Sequence, residues 1–323
     1  MAVFQTKLAK GPQYAGQRDD MLSLVDELRA LAARTTAASE RRKPRFRERG
    51  QLTPRERLAR LLDPGMPFLE VYNLANYLFD TGDPQKSLAG ASVIAGIGFV
   101  SGVRCMVIVD DSGINAGAMS EMSIEKIVRC LDLALKQKLP VMHLVESAGA
   151  DLIKYKVELW ARGGGIFYRL AKLSATGIPT FVVLHGPSTA GGAYMPGMSD
   201  YVIGVRGRGR AALGGAALVR AATGEVADEE ALSGSHMHAS VSGLVEYLAE
   251  DDAHGISIAR DLMARLQWNK RCPQFDRPAF EEPVYSADEI AGIVPIDYQQ
   301  PYDVREVIAR LVDESDFIEF KPL

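Results

Sequence analysis

One stretch, residues 178–194, restricts the possible folds of this chain more than any other. Residues 178–185 form an apolar run of strand length, and the residues that follow are small and include the pair Gly191 and Gly192. This pattern predicts a buried strand, a tight turn and a short helix that begins at the glycines. The first amides of a helix have no partner within it, and glycine lets a ligand approach them closely. They suit a bound oxyanion, either a phosphate or an enolate, although close packing of the helix on the strand would explain the glycines equally well.

A second apolar run of strand length, residues 139–145, also leads into small residues. Those residues are Glu146, Ser147, Ala148, Gly149 and Ala150. Ligands of open α/β sheets bind at the carboxyl ends of the strands. Two such turns at one edge of a sheet would place two sets of N–H donors around one oxygen atom, which is the arrangement of an oxyanion hole.

Strands and helices alternate along most of the chain. Residues 93–109 predict a β-hairpin with Ser101 and Gly102 as its two-residue turn. The further expected elements are a helix over 119–138, a helix over 158–175 interrupted at 163–165, a strand over 201–205, a helix over 216–222 and two helical segments within 242–266. The alternation favours an α/β core with parallel crossovers.

The N-terminal part is predicted to be a helical arm that carries a basic segment. Apolar residues recur at helical spacing over residues 18–34, and residues 35–50 then contain six cationic side chains. The basic segment could attract a phosphate or an acidic partner, but a solvated basic linker is the simpler interpretation. Thr53, Pro54 and Glu56 form the pattern of a capping box at the start of the next helix.

Residues 305–313 repeat the pattern of residues 55–63, after a proline-rich stretch with the composition of a linker. A repeat so far apart suggests two tandem modules, with the second cut off just after its entrance. We therefore expect three segments. They are a helical arm and basic linker at residues 1–50, an α/β domain at residues 51–270, and a linker with the entrance to a missing C-terminal domain at residues 271–323.

Composition excludes several classes of protein. The 323 residues carry a formal net charge of −4, which gives no argument for nucleic-acid binding. No apolar run approaches the roughly 20 residues of a membrane span, and no secretory signal is recognisable at the N-terminus. Cys105, Cys130 and Cys272 lie far apart and are expected to be buried, reduced thiols, so we expect a cytoplasmic protein.

Some polar residues outside the turns have competing interpretations. Arg206, Arg208 and Arg210 suit either an exposed turn or a phosphate contact near the glycines. His236 and His238 suggest a metal only weakly, because no third ligand follows at zinc spacing, and we predict no metal site.

Glu146 ends a buried strand beside the proposed site and could act as an acid or base, although hydrogen bonds to the turn amides explain it more simply. His143 and His185 lie in apolar runs and are expected to be satisfied core residues. Tyr155 and Trp160 could line an acyl pocket, but ordinary packing would serve equally well.

A series of short motifs follows in order along residues 50–323. It consists of residues 52–57 with 61–65, 146–150, 189–194 with 199–200, 205–207, 221–225, 238 with 241–243, 250–254 and 301–305. Together these motifs resemble those of the carboxyltransferase (beta) subunits of biotin-dependent acyl-CoA carboxylases, of the propionyl-, methylcrotonyl- and geranyl-CoA type.

The resemblance implies an α/β fold of the crotonase (ClpP/crotonase) kind, two such domains per chain, and sites between the N-domain of one subunit and the C-domain of another. It also implies transfer of carboxylate from carboxybiotin, held on a separate carrier protein, to the α-carbon of an acyl-CoA thioester. Gly191 and Gly192 match the pair whose amides hold the thioester enolate, and Gly149 and Ala150 match the neighbouring turn. No side-chain base is implied, because the biotin ureido group accepts the α-proton.

The predicted substrate contacts lie beside these amides. They are Ala148, Ala193, Tyr194, Gly214 and Gly215. The expected partners are an acyl-CoA, a biotin carboxylase or biotin carrier subunit, and either further copies of this chain or a chain that supplies a C-terminal domain. No nucleic acid and no membrane is expected as a partner.

The sequence departs from the family pattern in three places. Residues 113–119 replace a segment that usually resembles Val-Lys-Gly-Gly-Thr, Ala148 stands where Gly is usual, and the C-terminal half that supplies the biotin-side oxyanion hole is absent. Two alternatives therefore stay open. One is a biotin-independent acyl-CoA decarboxylase or hydratase that uses Glu146 as an acid, and the other is a non-catalytic CoA-binding subunit.

Overall fold

The structure, a computed structural model, describes residues 4–150, 157–272 and 281–320 of the chain. Contacts divide the chain into two compact units, Ala32–Phe275 and the combination of Met1–Leu31 with Asp276–Leu323. The boundaries predicted from the sequence, at residues 50 and 270, stay a prediction about domains, because contact density alone does not define a domain. Tyr155, a candidate for an acyl pocket, lies outside the described residues.

The order of elements follows the predicted α/β alternation. The strands are β1 (Leu69–Glu70), β2 (Val93–Val100), β3 (Val103–Asp110), β4 (Val141–Ser147), β5 (Thr180–Thr189), β6 (Tyr201–Val205), β7 (Arg210–Ala212) and β8 (Tyr247–Ala249). The helices are α1 (Pro12–Glu40), α2 (Lys43–Glu48), α3 (Pro54–Leu61), α4 (Glu121–Gln137), α5 (Val157–Ala175), α6 (Tyr194–Gly197), α7 (Ala216–Thr223), α8 (Glu229–Ser233), α9 (Ser235–Met237), α10 (Asp252–Leu266), α11 (Trp268–Arg271), α12 (Ile290–Ile293) and α13 (Val304–Ile308). None of the helices in the described part of the chain is both long enough and apolar enough to cross a membrane.

A single eight-stranded mixed sheet forms the centre of the larger unit. Its order is β1-β2-β3-β4-β5-β6-β8, and β7 pairs separately with the end of β5. Strands β1 to β3 are antiparallel, whereas β3, β4, β5, β6 and β8 are parallel. The predicted hairpin is confirmed: Ser101 and Gly102 turn between β2 and β3 with φ of 51° and 77°, the left-handed backbone that a tight hairpin turn requires.

The two central parallel strands are covered on both faces. β4 is buried along its whole length, and β5 is buried from Thr180 to Gly186. Helices α4 and α5 pack against each other, and α10 packs against β5, β6 and β8. Near-continuous apolar runs are what strands covered on both sides require. The carboxyl ends of β4 and β5 therefore lie side by side at one edge of the sheet, where the main chain leaves the apolar core.

The start of helix α3 is the capping box that the sequence predicts. The Thr53 hydroxyl accepts a hydrogen bond from the Glu56 amide at 3.3 Å, and the Glu56 carboxylate accepts one from the Thr53 amide at 2.9 Å. Pro54 occupies the first turn, where a backbone N–H would have no acceptor within the helix, so proline costs no hydrogen bond there. This start directs the next turn of α3 inward, so that Arg57 is buried.

The predicted interruption of α5 at residues 163–165 is wrong, because the helix continues through the three glycines. A Cβ at Gly163 would lie 3.7 Å from Ile124 of α4, at normal van der Waals distance. Ile166 and Leu170 of α5 are buried in the core. Tertiary packing of this kind outweighs a helix propensity that disfavours each glycine by about 1 kcal/mol.

Two other local predictions were also wrong. Residues 242–266 contain one helix, α10, preceded by β8, because Tyr247–Ala249 can extend the sheet by pairing with β6. The basic segment is largely helical: α1 continues to Glu40 and α2 follows, with Phe46 buried against the core.

In the smaller unit the described residues include the second copy of the repeat. Asp303 caps α13 at the position that Thr53 takes in front of α3, so the local helix start is repeated. Arg310 is buried and contacts Glu289 and Glu306 at 2.6 and 2.8 Å. Residues 317–319, the counterpart of β1, form no strand, and no neighbouring strand pairs with them within the described residues.

Candidate functional site

The two predicted turns lie in contact at the carboxyl edge of the sheet. Ser147 at the end of β4 is in register with Ser188 of β5, and the Thr189 hydroxyl donates a hydrogen bond to the Ala148 carbonyl oxygen at 3.0 Å. Gly149 has φ of 86°, and a Cβ there would lie 3.0 Å from the Thr189 carbonyl oxygen. Glycine is therefore required at 149 both by the left-handed backbone and by the close approach of the second turn.

Gly191 and Gly192 lie in the first turn of a 3₁₀ helix, Ala190–Ala193, which follows Thr189 as its N-cap. The Gly191 amide has no acceptor within the helix, whereas the Gly192 amide is three residues beyond Thr189 and is the first donor of the i→i+3 pattern. The two glycines differ in their surroundings. A Cβ at Gly191 would meet open space, whereas one at Gly192 would lie 3.2 Å from the Ser188 hydroxyl and 3.9 Å from the Met119 methyl group. Both interpretations of the pair thus apply: Gly192 permits close packing, and Gly191 faces an open region.

The amides of the first turn are partly used by the protein itself. The Gly149 amide donates to the Ser147 hydroxyl at 3.1 Å, and the Ala148 amide donates to the Ala116 carbonyl oxygen at 3.1 Å. No hydrogen bond from the Ala150 amide is seen to any described residue. Of the predicted donors, Gly191 and Ala150 are therefore the ones not engaged elsewhere within the described part of the chain.

A cavity of about 490 Å³ opens beside the first turn. The residues that line it are Arg42, Arg45, Phe46, Arg49, Ser112, Asn115, Ala116, Glu146, Ser147, Ala148, Pro187 and Thr189. Both strand ends thus contribute to its wall. Ala148 is the one predicted site residue among the described residues of its lining, which does not include Gly149, Ala150, Gly191 or Gly192.

The part of the cavity wall next to the end of β4 has an unusual backbone. Asn115, Ala116 and Gly117 are consecutive residues with φ of 47°, 52° and 69°. A Cβ at Gly117 would collide with the Glu146 carbonyl oxygen, and the Gly117 carbonyl oxygen accepts the Ser147 hydroxyl at 2.7 Å. This segment, where the sequence departs from the family pattern, therefore holds the end of β4 in place.

The two basic elements noted in the sequence differ in the structure. Arg206 pairs with Glu250 at 3.1 Å, Arg208 donates to the Gly50 carbonyl oxygen at 2.9 Å, and Arg210 lies 3.5 Å from Glu229. The segment at residues 41–49 instead contributes exposed arginines to the cavity. Residues 206–210 thus form a surface turn held by two ion pairs and a hydrogen bond. The sequence interpretation missed that residues 41–49 lie beside the site.

A buried charged network lies directly beneath the cavity. The Arg57 guanidinium contacts the Glu146 carboxylate and donates to Asp252 at 3.2 Å, and the His185 ring lies 2.9 Å from the other Asp252 oxygen. Gly186 makes room for the Glu146 carboxyl group, which a Cβ there would overlap. Glu146 therefore pairs with a cation and not with the turn amides that the sequence suggested.

The network shifts the pKa values of its members. Burial lowers the pKa of His185, and the nearby Arg57 charge lowers it further, so the ring is neutral. Burial acts to raise the pKa of Asp252, but the hydrogen bond from His185 and the charge of Arg57 outweigh burial and hold that pKa well below its usual value. His143 pairs with Asp110 at 3.1 Å and is the satisfied core residue expected, whereas the Nε2 atom of His185 is buried with no hydrogen-bond partner.

The other predicted substrate contacts lie away from the cavity. Tyr194 is exposed and packs on Phe167 with ring centroids 4.5 Å apart and the rings tilted by 34°, and Ala193 is half-buried. A Cβ at Gly214 would press on the Leu218 side chain. Gly215 caps α7, whose first amide already donates to the Glu229 carboxylate at 3.1 Å.

Metal ligands and thiols show no reactive grouping. The described residues contain no group of three or more His, Cys, Asp or Glu side chains placed to hold a metal ion. His238 bonds to the Ala211 carbonyl oxygen and the Ser242 hydroxyl. Cys105, Cys130 and Cys272 are free and buried, and burial raises the pKa of Cys130 to about 12.

Comparison with known proteins places this geometry in a family. The model of the family described as "Carboxyl transferase domain" matches residues 45–323. This chain belongs to that carboxyl transferase family. The resemblance recognised from the sequence motifs is thereby confirmed.

Similar proteins share both the sequence and the fold. A probable biotin-dependent acyl-coenzyme A carboxylase beta2 subunit of Mycobacterium tuberculosis is 46% identical over 94% of this chain and 56% of its own length. The crystal structure of the P. aeruginosa geranyl-CoA carboxylase beta subunit is 43% identical with a TM-score of 0.89, covering 99% of this chain and 59% of that one. Transcarboxylase 12S, solved with methylmalonyl-coenzyme A and methylmalonic acid bound, is 28% identical with a TM-score of 0.68 over 96% and 59%.

The predicted crotonase-like α/β fold of the carboxyltransferase kind is confirmed by these structures. The chain spans a little over half the length of the relatives that it matches, 56% and 58% for two mycobacterial beta subunits.

Proposed function

We propose that this chain carries the acyl-CoA half of a biotin-dependent carboxyltransferase site. The observation that carries the proposal is the contact of two glycine turns at the carboxyl ends of β4 and β5, with the Gly191 amide free of acceptors within its helix and open space on the Cβ side of Gly191. Relatives named as acyl-CoA carboxylase beta subunits over nearly the whole chain support it.

The proposed chemistry is enolate stabilisation by the main chain. Gly191 and Gly192 donate their amides to the thioester oxygen as it becomes negative, and Gly149 and Ala150 of the neighbouring turn complete the donor set. The Gly149 amide already bonds to Ser147, and the Gly192 amide donates toward Thr189 within its 3₁₀ helix, so each contributes by sharing that hydrogen bond. Carboxybiotin, when a carrier protein delivers it, supplies the carboxyl group and the base that accepts the α-proton.

Ala148, Ala193, Tyr194, Gly214 and Gly215 stay our predicted substrate contacts. Ala148 has the strongest support, because it lines the cavity. A biotin carboxylase or carrier subunit and a C-terminal domain, whether from this protein or another chain, are the proposed partners.

The assay is carboxyl transfer from carboxybiotin to acyl-CoA by this chain with its partner subunits, using a pair of variants at one position. Gly191→Pro removes the amide hydrogen within the first turn of the 3₁₀ helix, where that hydrogen has no intrahelical acceptor, and Gly191→Ala keeps it. Loss of one oxyanion donor lowers kcat about 10²–10³-fold, so we expect that loss for proline and near-normal turnover for alanine. Thermal melts of both variants report whether the fold survives. A well-folded Gly191→Pro enzyme with unchanged kcat would refute the assignment.

A biotin-independent decarboxylase is the second candidate, because Glu146 lines the cavity and a methylmalonyl-CoA decarboxylase subunit alpha of Veillonella parvula is 30% identical over 90% of the chain. Against it, the Glu146 carboxyl group is held by the buried Arg57 guanidinium and is not free to approach a substrate. Decarboxylation without biotin carrier that Glu146→Gln abolishes would favour this candidate over the first.

A further inference from the structure

Met119 contacts both glycine turns. Its amide donates a hydrogen bond to the Gly149 carbonyl oxygen at 2.8 Å, and its backbone pairs with Ala150 in a parallel bridge. Its methyl group reaches the second turn, where it lies 3.9 Å from the position that a Cβ at Gly192 would take. The Met119 side chain, which is 8% exposed, therefore spans the gap between the two turns.

The backbone on either side of Met119 is held in place. Two residues earlier, the Gly117 carbonyl oxygen accepts the Ser147 hydroxyl at 2.7 Å. Directly after Met119, the Ser120 hydroxyl caps α4 by accepting a hydrogen bond from the Ser123 amide at 3.3 Å. The Met119 Cα is therefore fixed, and the space beside it changes by rotation about the side-chain bonds. Methionine has three such bonds and fills irregular gaps.

The second turn is closed on one side and open on the other. Beside the Cβ position of Gly192 lie the Met119 methyl group and, at 3.2 Å, the Ser188 hydroxyl; they are the described atoms from outside the helix within 4 Å. A Cβ at Gly191 would meet open space. Ser188 is fully buried within β5, so its position is set by the strand. Met119 is therefore the adjustable part of the closed side.

We propose that Met119 forms the floor of the acyl pocket and limits the bulk of the acyl group at the carbon atoms next to the thioester carbonyl. The inference rests on the proposed function, which places the thioester oxygen between the two turns. An oxygen bound by the Gly191 and Ala150 amides lies about 3 Å from each donor. The carbonyl carbon and the acyl carbons that follow it are only a few bonds away, so they lie in the gap that Met119 spans.

Core packing is the other role that the burial of Met119 allows, since Met119 belongs to the apolar core. Its position favours the pocket floor, because its two contacts, Ala150 and Gly192, are a proposed donor and the neighbour of one. The two roles predict different results. Loss of a core residue affects stability and all acyl groups alike, whereas a change in the pocket floor alters the ranking of acyl groups that differ next to the carbonyl.

The experiment compares acyl-CoA esters that are enlarged at different places. Butyryl-CoA is the reference, isovaleryl-CoA adds a methyl branch near the carbonyl, and hexanoyl-CoA adds length at the far end. Specificity is the ratio of kcat/KM values for carboxyl transfer by this chain with its partner subunits, and calorimetric titration gives the matching ratio of Kd values without turnover. Met119→Ala and Met119→Phe are the test variants. Met263→Ala is the matched control, because Met263 of α10 is also buried and loses the same atoms.

We expect Met119→Ala to raise the preference for isovaleryl-CoA over butyryl-CoA at least about tenfold, since one carbon in an apolar pocket changes kcat/KM about 10–200-fold. Met119→Phe should lower the same preference by a similar factor. Met119→Leu keeps most of the volume and should stay within about threefold of the wild type. Met263→Ala should melt at a lower temperature, as Met119→Ala does, but keep the wild-type preference. The ratio for hexanoyl-CoA should hardly change, because the added carbons lie beyond Met119.

The results that overturn the inference differ from those that count against the proposed function. Folded Met119→Ala and Met119→Phe enzymes with the wild-type ratio of isovaleryl-CoA to butyryl-CoA make Met119 a core residue and leave the carboxyltransferase proposal intact. The inference also fails if the isovaleryl- and hexanoyl-CoA ratios move together, or if Met263→Ala moves them equally. If Met119→Ala does not fold, the opposite shift in Met119→Phe decides alone.

A wild-type protein that shows the expected shifts in Kd but transfers no carboxyl group supports the pocket and counts against the proposed function. A wild-type protein that binds none of the three esters refutes both proposals.

Discussion

Replacing Arg57 by leucine should destabilise the larger unit more than any exposed substitution on the same helix. The Arg57 side chain is 1% exposed, and its guanidinium contacts Glu146 and Asp252, both of them buried. Leucine fills part of the volume of the arginine stem but provides no charge and no donor. The change therefore leaves two carboxylates in the protein interior without their cation.

The size of the destabilisation depends on the hydrogen bonds that each carboxylate retains after Arg57 is replaced. Asp252 keeps the Leu52 amide at 2.8 Å and His185 at 2.9 Å. The Glu146 carboxylate has no other hydrogen bond or ion pair among the described residues, although it borders the cavity and can gain some hydration there. Removing one partner of a buried ion pair costs about 3–5 kcal/mol, and the cavity places this case toward the lower end.

Urea unfolding measures the effect, and Arg60→Leu is the matched control. Arg60 lies on the same helix, is exposed and has no ion pair among the described residues, so its loss should change the unfolding free energy by less than about 0.5 kcal/mol. A loss of about 3 kcal/mol in Arg57→Leu corresponds to a fall in Tm of about 6–12 °C for a unit of this size.

A double-mutant cycle tests the cause. Adding Glu146→Gln to Arg57→Leu removes the stranded charge, so the double variant should be more stable than Arg57→Leu alone. If Arg57→Leu and Arg60→Leu unfold at similar urea concentrations, or if Glu146→Gln makes Arg57→Leu worse, the network does not hold these elements together as argued.

Three further outcomes are expected. Gly149→Ala should destabilise the protein more than Gly177→Ala, because both glycines have positive φ but only Gly149 lies against the backbone of a neighbouring turn; urea unfolding of the two variants compares them. Burial lowers the pKa of Lys126 from 10.5 to about 8, so between these pH values the unfolded state binds more protons than the folded state. The unfolding free energy of the wild type, relative to that of Lys126→Met, should therefore rise by about 3 kcal/mol from pH 8 to 10.5. A difference that does not change with pH would contradict this expectation. Burial acts to raise the pKa of Asp252, but the hydrogen bond from His185 outweighs burial, so the pKa in the folded state is low. The unfolding free energy should therefore decrease as the pH falls below about 4, and acid unfolding of Asp252→Asn should show a smaller decrease.

Local pattern was a reliable guide where neighbouring residues decide the structure. The capping box at Thr53, the hairpin at Ser101 and Gly102, and the two strands that end in glycine turns all depend on residues close in sequence, and all are confirmed. Prediction failed where distant residues decide. The glycines at 163–165 stay helical because α4 packs on them, and β8 forms because β6 lies beside it.

The same division applies to the candidate site. The glycine turns were found from sequence, since a strand run followed by small residues is a local signal. The pairing of Glu146 with Arg57 and the exposure of the arginines at 42, 45 and 49 to a cavity were missed. Each joins residues far apart in the chain, and no spacing rule within the sequence connects them.

The sequence by itself determined the family, the α/β alternation and the two glycine turns at the strand ends, because apolar periodicity, capping residues and glycine are signals carried by a few neighbouring positions. Only the tertiary structure decided which amides are still free, which carboxylate is neutralised and where the unpaired arginine charge lies. Hydrogen bonds and electrostatic fields depend on distance in space, and folding brings residues 57, 146 and 252 to a single point that their separation in the chain does not reveal.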